Sequence, residues 1–516
     1  MTHLQKMKLY FILFSIGILI AGYFIATGYH TASFKLTRNM AAWKYHARAE
    51  KAGVDQVVYA QPSSREQAIP VIVYHGLLEE EDSDRPNFTT EKFEDHIFSL
   101  KKAGYNSITV DDLYKFLKNE ATLPPNPILI TFDDGRTDSL KFADPILRAV
   151  HYNAVMFAIG THSIGNERRG KYYLTPFELK SMANTDVWDV EAHSFDGHGN
   201  YPLSGDENDT GHFFGSAFWL QNENRSETPE ESAERISNDM QKIKSNLEES
   251  LEKPVISFAY PFGDYGQNNF RQPHMRDITL AATKQFYKLA FYQNAPGYRY
   301  TLAYRDPDKV NEDFFLIRRI NIDASMSGED LVKAIERGQL KDLPFEDDFS
   351  MARGWISQWG ESTIAPNKLS LRPEPGGTGG DVVLDGSQLW RNYEVTAEVE
   401  STNRTGVYII VRFADDKNYA GCNFSNGFIH VQDIVDGKTR VAKGVRSSNI
   451  SIPSGNFTIK ASVKDRTLQC TMGGTTVSTE FLDESLNKGG VGFKAWDETP
   501  GLSDVHIRNV SVTPLE

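Results

Sequence analysis

The chain has 516 residues, more than one hydrophobic core ordinarily supports, so two or more domains are expected. Its 40% hydrophobic and 24% charged residues are typical of a folded protein and exclude a disordered one. The net charge of −14 argues against a nucleic-acid partner, because phosphate binding depends on clustered Lys and Arg, and suits a basic polymer better.

The first predicted element is one N-terminal transmembrane helix. Residues 9–29 contain no charged side chain and are long enough to cross the roughly 30 Å hydrocarbon layer. Ala26 and Gly28 make only a poor cleavage site, which favours an uncleaved signal anchor. Because large domains that follow a span are usually translocated, we expect a single-pass, membrane-anchored protein with the rest of the chain extracytoplasmic. Residues 1–30 are then the cytoplasmic tip and anchor, and residues 31–67 a stem.

An α/β domain is predicted over residues 68–340. Short apolar runs alternate there with helical periodicity, for example from an N-cap at Thr90 to Gly104 and over residues 229–251. The predicted strands are 69–75, 106–110, 128–132, 154–159, 188–193, 255–260, 289–292 and 315–320. This number of units predicts a distorted (β/α) barrel with its active site at the carboxyl ends of the strands. Residues 199–228 interrupt the alternation of strands and helices, and they are expected to form an insertion near the carboxyl ends of the strands.

An antiparallel β-sandwich of the jelly-roll type is predicted over residues 345–516. Strict alternation places Tyr393, Val395 and Ala397 on one face of a strand, and similar runs follow between turn motifs. Cys422 and Cys470 both fall in strand-like stretches, so a disulfide and two separate buried thiols are both open.

Two adjacent carboxylates, Asp133 and Asp134, follow the apolar run 128–132. Placing them together at a barrel mouth costs repulsion unless a cation relieves it or one of them stays protonated. A helix cap or a surface pair of acids is the alternative for this motif taken alone.

Two histidines, His193 and His198, follow the run 188–192. Their spacing does not fit one helical face but suits a strand that continues into a loop. Together with Asp134 they offer three corners of a coordination shell whose other positions are open, which is typical of a catalytic metal site. A single histidine would more often be structural.

A third motif, Tyr260-Pro261-Phe262-Gly263, ends the strand 255–260. Its backbone could present the N–H of Phe262 to an anionic oxygen, with Tyr260 and Pro261 lining the substrate cleft. His75, at the end of the first strand, is a further candidate for substrate contact, although a structural role is the commoner one for a lone histidine.

TFDDG, HSFDGH and YPFG, in this order and after IPVIVYHGL (69–77), resemble the NodB-homology polysaccharide deacetylases, carbohydrate esterase family 4. The resemblance covers residues 69–337. Most members of the family space the two histidines four apart. The spacing of five in HSFDGH is instead similar to the poly-β-1,6-N-acetylglucosamine deacetylases of biofilm systems.

The resemblance implies a general base at Asp133 and one divalent metal ion bound by Asp134, His193 and His198. Zinc is the expected ion, with Co²⁺, Ni²⁺ and Fe²⁺ as alternatives. The implied reaction is hydrolysis of N-acetyl groups on an extracellular N-acetylglucosamine polymer, with Phe262 N–H holding the oxyanion. A chitin or peptidoglycan deacetylase is the nearest enzymatic alternative, and a non-catalytic glycan-binding protein of the cell surface is the other.

Two departures from the family pattern affect this expectation. The arginine that usually stands three residues before the motif proline is replaced by Phe258, so the group that orients the base is unidentified. The family's late Leu-x-His is missing too, since FLIRRINI (315–322) contains arginines instead, and the general acid is therefore unassigned.

The C-terminal domain resembles concanavalin-like modules through residues 345–360 and VGFKAW (491–496). This likeness implies sugar binding, with Trp390 or Trp496 as stacking surfaces. A spacer or packing domain is an equal alternative.

Overall fold

A computed structural model describes residues 12, 15–19, 29–54, 68–79, 88–165, 172–267, 269–293, 303–304, 315–351, 353–365, 367–401, 403–479 and 483–516. These residues form two compact units. The first contains the described residues up to Val332 except Ala68, and the second contains Ala68 together with the described residues from Lys333 onward.

The centre of the first unit is a closed parallel barrel. Its strands are β1 (Val71–Tyr74), β2 (Asn106–Ser107), β3 (Pro127–Phe132), β4 (Ala154–Ala158), β5 (Trp188–Ala192), β6 (Ser257–Ala259), β7 (Leu289–Gln293) and β8 (Leu316–Asn321). They are hydrogen-bonded in the order β1-β8-β7-β6-β5-β4-β3-β2, and β1 also pairs with β3. That extra pairing closes a ring of seven strands and leaves β2 outside it. Each of the predicted strands is confirmed to within a few residues.

Helices alternate with these strands along the chain, and the last of them runs across the boundary between the two units. They are α1 (Tyr29–Lys51), α2 (Thr90–Lys102), α3 (Val110–Leu117), α4 (Asp144–Ala149), α5 (Gly160–Ser163), α6 (Pro176–Ala183), α7 (Pro229–Leu251), α8 (His274–Phe286) and α9 (Gly328–Gly338). The predicted N-cap Thr90 is wrong by one residue, because the side chain of Thr89 accepts the Lys92 N–H at 3.2 Å. The predicted helix over residues 229–251 is confirmed.

Short elements complete the first unit. A π-helical turn covers Ser139–Ala143 and a 3₁₀ turn covers Pro261–Gly263. The short strands are Ala68–Ile69, Leu77–Leu78, Phe88–Thr89, Asn200–Pro202, Thr210–His212, Trp219–Leu220, Arg225–Ser226 and Ala303–Tyr304. Asn200–Pro202 pairs with Thr210–His212, and Trp219–Leu220 pairs with Arg225–Ser226, within the predicted insertion.

The predicted transmembrane helix lies mostly outside the described residues, which include only 12, 15–19 and 29 of the run 9–29. Within the described part of the chain, no helix is both long enough and apolar enough to cross a membrane.

The second unit contains two antiparallel sheets. Its strands are β9 (Phe345–Asp347), β10 (Trp355–Trp359), β11 (Glu361–Ala365), β12 (Lys368–Arg372), β13 (Gly379–Leu384), β14 (Tyr393–Ser401), β15 (Gly406–Asp415), β16 (Asn418–Ser425), β17 (Phe428–Val435), β18 (Lys438–Arg446), β19 (Gly455–Lys464), β20 (Thr467–Met472), β21 (Thr475–Thr479), β22 (Gly490–Trp496) and β23 (Val505–Pro514). One sheet has the order β11-β12-β23-β14-β19-β20-β21 with β9 beside β23, and the other β10-β13-β22-β15-β16-β17-β18. Buried side chains from both sheets form one hydrophobic core.

Two features of this core bear on the sequence predictions. Cys422 and Cys470 form a disulfide that joins β16 of one sheet to β20 of the other. The proposed exposure of Trp390 is wrong, because its side chain is buried and its Nε1–H donates to the Lys341 carbonyl at 2.7 Å. Trp496 is partly exposed. Concanavalin-like topology and sugar binding remain predictions.

Candidate metal centre

The side chains of Asp134, His193 and His198 converge at the carboxyl end of the barrel. Asp134 follows β3, His193 follows β5, and His198 lies in the loop beyond it. One donor atom from each lies within 4.8 Å of the others. Asp134 Oδ1 is 3.4 Å from His198 Nε2 and 3.7 Å from His193 Nε2. This spacing suits shared ligation of a single cation.

The state of His193 and Asp134 fits a bound metal. His193 Nδ1 is 2.8 Å from the Ala259 carbonyl and donates its hydrogen there, so Nε2 keeps its lone pair and faces Asp134. Burial lowers the pKa of His193 to about 4, which leaves the ring neutral at physiological pH. Asp134 Oδ1 is buried and accepts no hydrogen bond from the described residues. A buried carboxylate oxygen without a donor is costly, and a cation would relieve that cost.

Each of the three sequence motifs contains a non-glycine residue in the left-handed backbone region. The φ angles are 76° at Asp134, 74° at Ser194 and 59° at Phe262. Such residues cost of the order of 1–3 kcal/mol each and cluster at functional sites. The barrel therefore holds all three motifs in conformations that local propensity alone would not select.

A buried carboxylate on α7, Asp239, holds the loop between the two histidines. Its oxygens accept the backbone N–H groups of Phe195 at 2.9 Å and Asp196 at 2.8 Å. Burial raises the pKa of Asp239 to about 6, against the lowering effect of those two hydrogen bonds. Nothing in the sequence pattern identified Asp239, because its position on the buried face of α7 predicted only packing.

The predicted base, Asp133, is paired with Arg319 from β8. Arg319 Nη1 donates to Oδ1 at 2.6 Å and Nη2 donates to Oδ2 at 2.7 Å, and both side chains are buried. Burial would raise the pKa of Asp133, but the charges of Arg319 and His193 outweigh it and hold the pKa below its usual range. Arg319 is thus the candidate for orienting the predicted base, whereas Phe258 is buried among aromatic rings.

His75 lies on the other side of Asp133. Its Nε2 is 3.9 Å from Asp133 Oδ2 and 3.4 Å from Gln293 Nε2, and about a third of the side chain is exposed. His75 therefore reaches both the base and solvent. Its predicted contact with substrate stays a prediction.

The Tyr-Pro-Phe-Gly motif divides between core and surface. Tyr260 is fully buried with its hydroxyl 2.7 Å from Thr283 Oγ1, and Pro261 is buried as well. Their predicted contact with substrate is thus restricted to backbone atoms. Phe262 is 43% exposed. Its ring contacts His198 at 4.6 Å between centroids and stacks on His212 at 4.3 Å.

Two histidine-aromatic stacks border the metal-site residues. His212, from the insertion, is held by Asp264 at 2.8 Å and stacks on Phe262 beside His198. On the Asp134 side, His162 stacks on Tyr173 at 4.3 Å, in a segment that pairs with the chain just after Asp134. Flat aromatic faces of this kind suit the apolar faces of sugar rings. Sequence analysis identified the insertion but not these side chains.

Comparison with known proteins agrees with this geometry. Residues 120–274 match the profile of the family described as polysaccharide deacetylase. The match is confined to residues 120–274, and it shows that this segment is similar to polysaccharide deacetylases.

YxkH of Bacillus subtilis (strain 168) is 31% identical over 128 residues, which cover 25% of this chain and 43% of that protein. The poly-beta-1,6-N-acetyl-D-glucosamine N-deacetylase of Staphylococcus epidermidis is 24% identical over 211 residues, 41% of this chain and 65% of the relative. The chain thus spans roughly half the length of these relatives. A solved de-N-acetylase from Aggregatibacter actinomycetemcomitans has a TM-score of 0.43 at 16% identity, covering 52% of this chain and 99% of that one.

Proposed function

We propose that the chain hydrolyses N-acetyl groups from an extracellular polysaccharide of β-1,6-linked N-acetylglucosamine, with one divalent metal ion. The observation that carries this proposal is the convergence of Asp134, His193 and His198 within 4.8 Å, next to a carboxylate that Arg319 holds ionised. A base and three metal ligands at one end of a barrel are the parts that metal-assisted amide hydrolysis requires.

The metal ligands would be Asp134, His193 and His198. Two imidazoles and a carboxylate form a donor set that zinc accepts with positions left open, and Co²⁺, Ni²⁺ and Fe²⁺ are the alternatives. A cation bound there would polarise the acetamide carbonyl and acidify a water molecule.

The remaining chemistry belongs to side chains and backbone of the barrel. Asp133 takes the proton of the attacking water, and Arg319 keeps it ionised and oriented for that transfer. The N–H of Phe262 donates to the oxyanion of the tetrahedral intermediate. His75, which lies 3.9 Å from Asp133 and reaches solvent, protonates the leaving amine. The products are acetate and a free amino sugar.

The substrate class rests on three supports. The spacing of five in HSFDGH is similar to poly-β-1,6-N-acetylglucosamine deacetylases, and a relative named for that activity matches 41% of the chain. The net charge of −14 also suits a substrate that becomes cationic as acetyl groups leave.

We place the enzyme outside the cytoplasm, tethered to the membrane by residues 9–29. Two observations support this location. The run 9–29 is uncharged, and the second unit contains a disulfide, a bond that forms and persists in oxidising compartments.

Acetate release from defined oligosaccharides tests the proposal. We expect release from β-1,6-linked N-acetylglucosamine oligomers, loss of it in Asp133→Asn, and no change in Asp111→Asn, a surface carboxylate on α3. If acetate is released only from β-1,4-linked oligomers or from peptidoglycan, the proposed β-1,6-linked substrate is wrong and a chitin or peptidoglycan deacetylase replaces it. Glycan binding without any acetate release would instead make the barrel a binding module.

A further inference from the structure

Helix α1 is attached to the barrel unit through one face. Arg38 is buried on that face and pairs with Asp144, which also accepts the Trp188 Nε1–H at 2.9 Å. Arg48 pairs with Glu94 at 2.7 Å, and His46 Nδ1 lies 3.2 Å from the Ala149 carbonyl. These polar contacts fix the orientation of α1.

The opposite face of α1 carries an exposed apolar stripe. Leu36, Met40 and Trp43 follow one another at helical spacing, and they are 47%, 67% and 77% exposed. Single exposed apolar residues are ordinary on protein surfaces, but a row of large ones on one helix face marks an interaction surface. In the described part of the chain, nothing packs over this stripe closely enough to bury it.

Three features of the stripe select a lipid surface as its partner. The uncharged run 9–29 leads directly into α1, so the stripe continues an apolar segment suited to hydrocarbon. Trp43 is the most exposed of the three side chains, and Trp prefers the membrane-water interface. Lys44 and Lys51 are exposed beside the stripe, where they can reach lipid phosphates.

We propose that α1 lies on the surface of a lipid bilayer with Leu36, Met40 and Trp43 inserted at the headgroup boundary. Because α1 is fixed to the barrel by Arg38, this contact also sets the barrel close to the bilayer. The proposal is independent of deacetylase activity, and it adds an interfacial contact to whatever residues 9–29 contribute.

Site-specific labelling of the full chain tests this contact. Both native cysteines are in the disulfide, so a new cysteine is the only free thiol. Met40→Cys carries an environment-sensitive fluorophore, and Met351→Cys is the matched control, since Met351 is 60% exposed in the second unit. We expect the label at position 40 to shift to shorter emission wavelength when the protein is reconstituted with phosphatidylcholine-phosphatidylglycerol vesicles. The label at position 351 should not shift.

A second variant separates the stripe from the apolar run before it. In Met40→Cys combined with Trp43→Glu, the chain should still sediment with vesicles while the wavelength shift at position 40 is lost. An unshifted label at position 40 on vesicle-bound protein would overturn the proposal. Equal shifts at both labelled positions, or a full chain that does not sediment with vesicles, would overturn it too.

Discussion

Arg319 and Asp133 form a two-point salt bridge at the mouth of the barrel, although 186 positions separate them in the chain. The two N–O distances are 2.6 and 2.7 Å. Paired donors from a planar guanidinium fix both the charge and the orientation of a carboxylate. We infer that this pair replaces the arginine that the sequence motif lacks.

Removing the guanidinium should therefore damage both stability and catalysis. Arg319→Met leaves Asp133 buried without its counter-charge, and we expect a loss of about 3–5 kcal/mol in the free energy of unfolding. The pKa of Asp133 should also rise, because the largest attraction to its ionised form is gone. Denaturant unfolding and the pH dependence of kcat/KM measure the two effects.

The double variant Arg319→Met with Asp133→Asn is the control. If the stability loss arises from an uncompensated charge, neutralising Asp133 should restore most of it. Equal destabilisation in the single and double variants would assign the loss to packing instead.

The sequence predicted the barrel strands because each is a short apolar run, and buried parallel strands have that composition. The sequence also predicted that four side chains lie close together, those of Asp133, Asp134, His193 and His198, since the carboxyl ends of neighbouring strands meet at one end of a barrel.

Arg319 could not be assigned in the same way. The arginines of FLIRRINI were visible, but their contact with Asp133 depends on barrel closure, in which β8 pairs with β1 and β1 pairs with β3. Periodicity also does not show which side of a sheet a residue faces when both sides are covered. Trp390 was misplaced for a different reason, since it lies in a loop, where no periodicity applies, and its burial depends on a contact with the distant Lys341 carbonyl.

Asp239 should act on metal affinity without touching the metal. In Asp239→Ala, the N–H groups of Phe195 and Asp196 lose their acceptor, so the loop that carries His198 should become mobile. We expect zinc affinity to fall roughly 10- to 100-fold, as for other residues that orient metal ligands. Competition with a chromogenic chelator measures it. The neighbouring exposed residue supplies the control, because Asn238→Ala should leave the zinc affinity unchanged. Equal zinc affinities in the wild type, Asp239→Ala and Asn238→Ala would exclude a positioning role for Asp239.

The disulfide should stabilise the second unit. Cys422 and Cys470 close a loop of 48 positions between the two sheets, and both side chains are buried. Replacing both by Ala should lower the free energy of unfolding by about 2–4 kcal/mol. Zinc affinity should not change, since the metal-site residues belong to the first unit. An unchanged unfolding midpoint would show that core packing alone supports the sandwich.

Lys341 should make stability depend on pH in the alkaline range. Burial lowers its pKa to about 8, from 10.5 in an unfolded chain. Between these values the unfolded chain holds more protons, so raising the pH favours the folded state. Relative to Lys341→Met, the wild type should therefore gain stability from pH 8 to 10.5, by at most about 3 kcal/mol. Parallel unfolding curves for the two proteins across this range would contradict the shifted pKa.

The central claim is that Asp134, His193 and His198 bind one metal ion, and calorimetric titration of zinc into the chelator-stripped protein tests it most directly. We expect one zinc per chain in the wild type and in Asp133→Asn, and a loss of at least about 100-fold in affinity in His198→Ala. A wild type that binds no zinc, or a His198→Ala variant that binds it equally well, would contradict the account.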